Sequence, residues 1–202
     1  MLQLDPMLSL ILSNPVLFNS IRSVIAGNQK FTKQFVHNNL IKYNAKTVID
    51  IGCGSGDFTE AVPDNISYLG LDINKEYISF AKRHYGNHNR NFIVRNVLDE
   101  SFYKNRKFGA ALFISMLHHL SDDELALILP VVKQITKKVI IIADIIPDPD
   151  GLLRKIVVSL DQGKFIRPKG KKLEIVSRYF KITETKIIPS RLAVQFGIVC
   201  EV

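Results

Sequence analysis

The sequence predicts an α/β protein with a doubly wound, mostly parallel sheet of seven strands, a terminal antiparallel hairpin and a helical N-terminal extension. Three observations support this fold class. Short apolar segments alternate with amphipathic ones through the middle of the 202-residue chain. Two longer segments, separated by a turn, end the chain. The first part of the chain has helical periodicity.

Five apolar segments in the middle of the chain predict parallel strands. Most are short and rich in β-branched residues, as is typical of strands covered by helices on both faces. Their predicted ranges are residues 47–51, 67–72, 91–95, 110–114 and 139–144.

Helices and a hairpin account for the segments between and after these strands. Residues 75–85 predict one helix, and the capping-box spacing of Ser121 and Glu124 opens another. Near the end of the chain, residues 181–188 and 192–202 flank Pro189 and predict two antiparallel strands.

The N-terminal residues predict two helices. The first begins at Pro15 and ends at Gly27, since proline favours the first helical position and glycine favours the end. The second covers residues 31–43, with one face directed inward. We therefore expect residues 1–43 to form a helical cap within the same domain as residues 44–202, the cofactor-binding part. The expected inward side chains of the second helix are Phe31, Phe35, Val36 and Leu40.

Composition excludes several classes of protein. The only two cysteines, Cys53 and Cys200, are too few for a disulfide framework, and their spacing does not suggest a zinc site. No apolar segment reaches the ~20 residues that a membrane span requires. We therefore expect a cytoplasmic protein with no membrane span and no metal.

Positive charge is concentrated in the last quarter of the chain. The net charge is +8, and residues 151–202 contribute 11 Lys and Arg against 4 Asp and Glu. Such a surface suits an acidic substrate, a nucleic acid or an anionic lipid. A solvated basic face explains the same composition, and the absence of interleaved aromatic residues favours that interpretation.

A glycine-rich turn follows the first predicted strand. Gly52, Gly54 and Gly56 allow the backbone to turn sharply and leave room for a ligand. A dinucleotide-binding turn would have its third glycine at the position of Asp57, so that class fits less well. Asp50 lies beside the turn, where a carboxylate would repel a pyrophosphate but suit an ammonium group.

A second acid indicates the rest of the ligand. Asp72 ends the second predicted strand, 20 residues beyond Gly52, and a carboxylate there can accept hydrogen bonds from ribose hydroxyls. The ligand inferred from these residues has a ribose and a cation and needs no phosphate. S-adenosylmethionine meets these conditions.

Three motifs resemble those of class I S-adenosylmethionine-dependent methyltransferases: residues 48–56, 69–72 and 116–120. The resemblance covers about residues 45–145. It implies that the glycine turn lies under the methionine part of the cofactor, that Asp72 binds the ribose, and that Asn96 and Val97, with Leu98 beside them, flank the adenine. Many relatives have Asp at the position of Asn96. The predicted cofactor-binding residues are Asp50, Gly52, Cys53, Gly54, Gly56, Asp72, Ile73, Asn96, Val97, Leu98, Ser115 and Leu117.

Candidate catalytic residues lie after the fourth and fifth predicted strands. His118 is a candidate general base or orienting group, and Asp144 is a candidate proton acceptor or ligand for an acceptor amine. His119 is a candidate substrate contact. The alternative is that both histidines shape the loop and that Asp144 caps the chain before Pro147.

Two cations are candidates for binding the methyl acceptor. Lys164 and Arg167 would bracket a carboxylate or phosphate; the alternative interpretation is a turn with solvated cations. We expect the N-terminal helices to help form the acceptor site.

Missing features narrow the reaction. The segment after the fourth strand lacks the Pro-Pro-aromatic pattern of relatives that methylate base nitrogens, and neither cysteine suits attack on a cytosine ring. The expected activity is transfer of a methyl group from S-adenosylmethionine to a small-molecule hydroxyl, amine or carboxylate by in-line displacement. Two alternatives remain open: a catalytically silent S-adenosylmethionine-binding regulatory protein, and an RNA methyltransferase.

Overall fold

The structure, a computed structural model, describes residues 29–103, 105–147, 164–189 and 194–202. The strands are β1 (Thr47–Ile51), β2 (Ser67–Asp72), β3 (Arg90–Val94), β4 (Phe108–Ile114), β5 (Thr136–Ile146), β6 (Lys181–Ile188) and β7 (Val194–Glu201). The helices are α1 (Lys30–Lys42), α2 (Lys75–Tyr85), α3 (Glu100–Tyr103), α4 (Asp122–Ile135) and α5 (Lys169–Ser177). Short 3₁₀ helices cover Asp57–Ala61 and Leu117–His119.

The seven strands form one sheet in the order β3-β2-β1-β4-β5-β7-β6. The first five strands are mutually parallel, and β7 is antiparallel to both of its neighbours. This arrangement confirms the predicted fold class. The strand order reverses between β1 and β4, so the carboxyl ends of these two strands flank the point where such sheets bind ligands.

Helices bury both faces of the sheet. On one face, Leu129 of α4 and Val176 of α5 belong to the same core cluster as Ile140 of β5. On the other face, Val36 of α1 and Ile78 of α2 pack in a second cluster. Burying one such side chain contributes about 1.5–3 kcal/mol. The sheet is thus packed on both faces, and this packing fixes the positions from which the loops at its carboxyl edge begin.

Helix α1 agrees with the prediction except at one position. Phe35, Val36 and Leu40 are buried as predicted, but the prediction for Phe31 is wrong because its side chain is 57% exposed. In this first turn it is Thr32 that faces β7, and its hydroxyl donates to Gln195 Oε1 at 2.5 Å. Phe31 instead lines an open cavity at the side of the sheet.

The segment after the glycine turn is a short 3₁₀ helix, Asp57–Ala61. Pro63 explains the early end. A proline disfavours the helical conformation of the residue before it, and Val62 is extended with φ −93° and ψ 120°.

The predicted start of α4 is confirmed. The Ser121 hydroxyl accepts from the Glu124 backbone N–H, and the Glu124 carboxylate accepts from the Ser121 N–H. The predicted helix between Pro15 and Gly27 lies outside the described residues. Among the residues that are described, no helix is long and apolar enough to cross a bilayer.

Candidate active site

The glycine turn is held at the carboxyl edge of the sheet by backbone bonds from the neighbouring strand. The N–H groups of Gly52 and Cys53 both donate to the carbonyl of Leu71, at 2.9 and 2.8 Å. Gly52, Gly54 and Gly56 all have positive φ, at 77°, 56° and 85°. L-residues with a Cβ rarely adopt this conformation, so the turn requires its glycines.

The three glycines have different surroundings. A Cβ at Gly52 would overlap the sulfur of Met116, and one at Gly56 would lie 2.8 Å from the ring of Phe92. Those two glycines therefore permit close packing within the protein. A Cβ at Gly54 would meet no atom within 4 Å. Gly54 thus faces open space, where a ligand can approach the backbone.

Asp72 supports the same turn from the tip of β2. Its Oδ2 accepts from the N–H of Gly54 at 2.8 Å, and its Oδ1 accepts from the N–H of Asn74 at 2.8 Å. Burial raises the pKa of Asp72 although these backbone donors oppose the shift. The carboxylate is therefore fixed beside the turn, in position to contact a ligand above Gly54.

Asp50 is an acid buried under the turn, with a side chain 1% exposed. Its Oδ2 accepts from the hydroxyl of Tyr68 at 2.6 Å, whereas its Oδ1 has no hydrogen-bond partner among the described residues. Burial raises the pKa of Asp50 to about 7, and the nearby Asp57 and Asp72 carboxylates add to the shift. An incompletely partnered buried acid is costly, which suggests that a cationic ligand completes its environment.

Residues near the expected adenine position form a partly apolar edge. Ile73 is 70% exposed beside Asp72, and Val97 is buried. Asn96 is exposed, and its side-chain oxygen accepts from the N–H of Leu98 at 3.0 Å. An exposed isoleucine next to a fixed carboxylate suits a ligand that joins an apolar ring to a polar sugar.

The backbone after β4 is strained. Ser115 has φ 51°, an uncommon value for a residue other than glycine, and its N–H donates to the carbonyl of Ala143 at 2.7 Å. Strained residues of this kind cluster at functional sites. The next residues form the 3₁₀ helix that contains Leu117 and His118, both buried.

His118, Asp144 and Lys172 form a buried chain of charged and polar groups. The Nδ1 of His118 pairs with one oxygen of Asp144, and the Nζ of Lys172 pairs with the other. The three side chains are at most 2% exposed. Burial alone would raise the pKa of Asp144, but His118 and Lys172 lower it below its usual value.

The two catalytic candidates are therefore brought together, with a lysine that the sequence analysis did not identify. His119, by contrast, is exposed. Its ring lies 4.2 Å from that of His118, measured between centroids.

The two cations predicted to bind an acceptor lie in different surroundings. Lys164 is exposed. Arg167 is buried and donates to the carbonyls of Leu117 and Leu120 at 2.9 and 2.7 Å, while also pairing with Asp122. Its donors are engaged in holding the His118 turn, so the predicted contact with an acceptor would require these bonds to be exchanged.

Sheet order, glycine turn and acidic strand tip together define the fold of the class I S-adenosylmethionine-dependent methyltransferases. Residues 48–138 match the family model described as a methyltransferase domain. The resemblance predicted from the three sequence motifs is confirmed: this segment is similar to methyltransferase domains, and the sheet has the fold of the class I methyltransferases.

Solved structures of methyltransferases share this fold. Magnesium protoporphyrin IX methyltransferase (ChlM) from Synechocystis PCC 6803, with bound SAH, is 17% identical, with a TM-score of 0.68 over 96% of this chain and 98% of that chain. Human N-acetylserotonin methyltransferase (ASMT), in complex with SAM, is 13% identical, with a TM-score of 0.69 over 98% of this chain. This chain spans only 59% of the human protein.

A third structure with this fold is named as an N-methyltransferase. The N-methyltransferase NodS from Bradyrhizobium japonicum WM9 is 13% identical, with a TM-score of 0.64 over 86% of this chain and 97% of that chain. A comparison with curated proteins returned no match. At these identities the likeness establishes the fold, and the acceptor must be argued from the site.

Proposed function

We propose that this protein binds S-adenosylmethionine and transfers its methyl group to a small-molecule hydroxyl, amine or carboxylate. The observation that supports the proposal most directly is the open space above Gly54, with Asp72 fixed beside it and Asp50 buried beneath the turn. The space admits a ligand, and the two acids suit a ribose and a cation.

Each part of the cofactor has a group in the chain that fits it. The backbone of the glycine turn would hold the methionine part, with Asp50 supplying negative charge near its ammonium group. Asp72 would accept from the ribose hydroxyls. Ile73 and Val97 would contact the adenine. The bound cofactor supplies an electrophilic methyl group on a positively charged sulfur.

The protein's own contribution to catalysis is mainly positioning. An in-line displacement requires the acceptor atom, methyl carbon and leaving sulfur to be aligned, and correct alignment alone contributes several kcal/mol of rate enhancement. A hydroxyl or an ammonium acceptor must also lose a proton. His118 is the group proposed to take it, with Asp144 fixing the ring by accepting at Nδ1.

The basic tail lends little support to an RNA acceptor. Its described cations are mostly matched with acids: Lys171 and Arg178 with Glu174, and Lys181 with Glu201. A phosphate-binding surface would instead leave basic side chains available along one face.

Transfer itself is the decisive test. The purified protein is incubated with methyl-labelled S-adenosylmethionine and a cell extract that contains both small molecules and RNA, and the labelled products are fractionated by size and identified by mass spectrometry. We expect the label on a low-molecular-weight product, with no transfer when the boiled protein is used. Cofactor binding without any labelled product would favour the silent regulatory protein, and label in an RNA fraction would favour the RNA methyltransferase.

Replacing Gly54 with asparagine tests the cofactor position. Asparagine tolerates positive φ better than most residues, so the protein should remain folded while the new side chain fills the open space. We expect affinity for S-adenosylmethionine to fall by at least about tenfold, which corresponds to ~1.4 kcal/mol, in isothermal titration calorimetry.

The matched control is Gly170→Asn. A Cβ at Gly170, in α5, would also meet no atom within 4 Å, but this glycine lies away from the turn. This variant should bind as the parent does. Parental affinity in Gly54→Asn would show that the ligand does not approach the turn at this point.

A further inference from the structure

The pairing of Lys172 with Asp144 joins the last helix to the catalytic candidates. Asp144 belongs to β5, His118 to the 3₁₀ helix after β4, and Lys172 to α5. The chain just before α5 also contacts the His118 turn, since the N–H of Phe165 donates to the His118 carbonyl at 2.9 Å. Lys172 is therefore held next to the catalytic candidates by the same segment that fixes the turn.

A buried lysine carries a large desolvation cost unless an acid compensates it. Burial lowers the pKa of Lys172, and Asp144 partly offsets that effect. A lysine on the exposed face of α5 would be compatible with the helix and would avoid this desolvation cost. Its position is explained if the cation acts on the Asp144–His118 pair.

The charge of the carboxylate determines what the histidine does. A buried carboxylate with only a histidine beside it favours the protonated imidazolium, which cannot act as a base. With Lys172 on its second oxygen, Asp144 is already neutralised. A neutral His118 imidazole would then donate its Nδ1–H to Asp144.

We propose that Lys172 is a positioning residue that keeps His118 in the neutral, base-competent form by compensating the charge of Asp144. Only the effect on catalysis rests on the proposed methyltransferase function. The protonation state of His118 can be measured without an acceptor.

In the part of the chain that the structure describes, four groups near His118 enter its charge balance. Asp144 from β5 favours the protonated ring, and Lys172 from α5 opposes it. Arg167, which donates to the carbonyl of Leu117, adds a second buried cation and further lowers the pKa of Lys172. The ring of His119 lies tilted beside that of His118, with the two centroids 4.2 Å apart.

The test is the titration of the His118 ring by ¹⁵N NMR in the full-length protein, with its signal assigned through His118→Gln. Lys172→Gln keeps an N–H donor for Asp144 but removes the charge. We expect the titration midpoint of His118 to rise by at least about one pH unit. The control is Lys171→Gln, which removes an exposed cation paired with Glu174 and should leave the midpoint unchanged.

A double variant keeps the proposal testable if Lys172→Gln does not fold. Asp144→Asn with Lys172→Met removes both buried charges, so no ion is left without a partner. If Lys172 compensates Asp144 in the parent, the His118 midpoint in the double variant should stay within about half a pH unit of the parental value. A fall of more than one unit would show that the parent ring is held protonated and that Lys172 does not compensate.

Activity provides a separate readout. If His118 is the base, the rising limb of the pH–rate profile moves with the NMR midpoint in Lys172→Gln. A shifted midpoint with an unshifted rate profile would retain the role of Lys172 and reject His118 as the base. An unchanged midpoint in Lys172→Gln would overturn the proposal itself.

Discussion

At pH 8, Asp50→Asn should unfold at a higher temperature than the parent protein. The Asp50 side chain is buried, and its pKa rises from 3.8 to about 7 in the folded state. The folded protein therefore favours the neutral carboxyl. Asparagine has nearly the same shape, stays neutral at every pH and can still accept from the Tyr68 hydroxyl.

The pH dependence follows from the direction of this shift. The stability that Asp50 contributes is fully present below pH 4 and is lost as the pH rises toward 7, because the folded state must then give up a proton that it holds more tightly than the unfolded chain does. A pKa shift of this size lowers the free energy of unfolding by on the order of 4 kcal/mol between pH 4 and a pH well above 7. The advantage of Asp50→Asn should be largest above pH 8 and should disappear near pH 4.

Cofactor binding should change in the opposite direction. A bound cation favours the carboxylate of Asp50, so the parent should release protons on binding S-adenosylmethionine, and its affinity should rise between pH 5 and 7. Calorimetry in buffers of different ionisation enthalpy measures this release. Asp50→Asn should bind more weakly at pH 7.5 and release fewer protons.

Asp64→Asn is the matched control for this experiment. The Asp64 side chain is exposed and pairs with Arg90 at the surface, at 2.8 Å. Such a pair contributes about 0–1 kcal/mol, so neither stability nor proton release should change appreciably. An Asp50→Asn protein that is no more stable than the parent at pH 8 would contradict the buried-acid interpretation.

Most of the fold can be predicted from the sequence because its central strands are buried on both faces. The predicted bounds of β1 and β2 are the observed ones, since apolar side chains there end at polar turns. Strand β5 is longer than predicted. It begins at Thr136, which pairs with Phe108, and includes the exposed Lys137 and Lys138 at an irregularity in the register before Val139. Hydrophobic pattern detects burial, whereas strand ends depend on hydrogen bonding.

The candidate site can be predicted from the sequence only in part. Local motifs identified the glycine turn and Asp72, because a turn between a strand and the following segment is specified by adjacent residues. The Asp144–Lys172 pair joins residues 28 positions apart, and no local pattern marks either as buried. Arg167 resembled a solvent-facing cation for the same reason: its partners are backbone carbonyls of the His118 turn, about 50 residues away.

The structure shows that the three glycines of the turn have different roles, which their spacing in the sequence does not reveal. The motif treats Gly52, Gly54 and Gly56 as equivalent positions of one turn. In the structure, two of them make room for Met116 and Phe92, and only Gly54 faces open space. Substitutions at Gly52 and Gly56 should therefore act mainly on folding, and substitutions at Gly54 mainly on binding.

Replacing His118 with alanine should lower turnover by about 100- to 10,000-fold, the usual contribution of a general base, while leaving the affinity for S-adenosylmethionine nearly unchanged. The variant removes the ring but leaves Asp144 and Lys172 paired with each other, so no buried charge loses its last partner. Loss of turnover would therefore report on the missing imidazole more than on a disrupted site. Turnover on the acceptor found in the labelling experiment, measured across pH 5.5–9, is the appropriate assay.

The neighbouring histidine separates a catalytic effect from a structural one. His119 is exposed, its ring contacts that of His118 at a tilt, and it belongs to the same 3₁₀ helix. If the turn merely needs a ring for packing, His118→Ala and His119→Ala should both cause small losses, and the pH–rate profile should be flat in the parent. If His118 takes the acceptor's proton, only His118→Ala should remove the rising limb of the profile. An acceptor with no proton to lose, such as a carboxylate, would also give a flat profile, because alignment of the acceptor with the methyl group would then supply the catalysis. A rising limb in the parent profile would therefore indicate a hydroxyl or ammonium acceptor, whereas a flat profile fits either a carboxylate acceptor or a turn that needs the His118 ring only for packing.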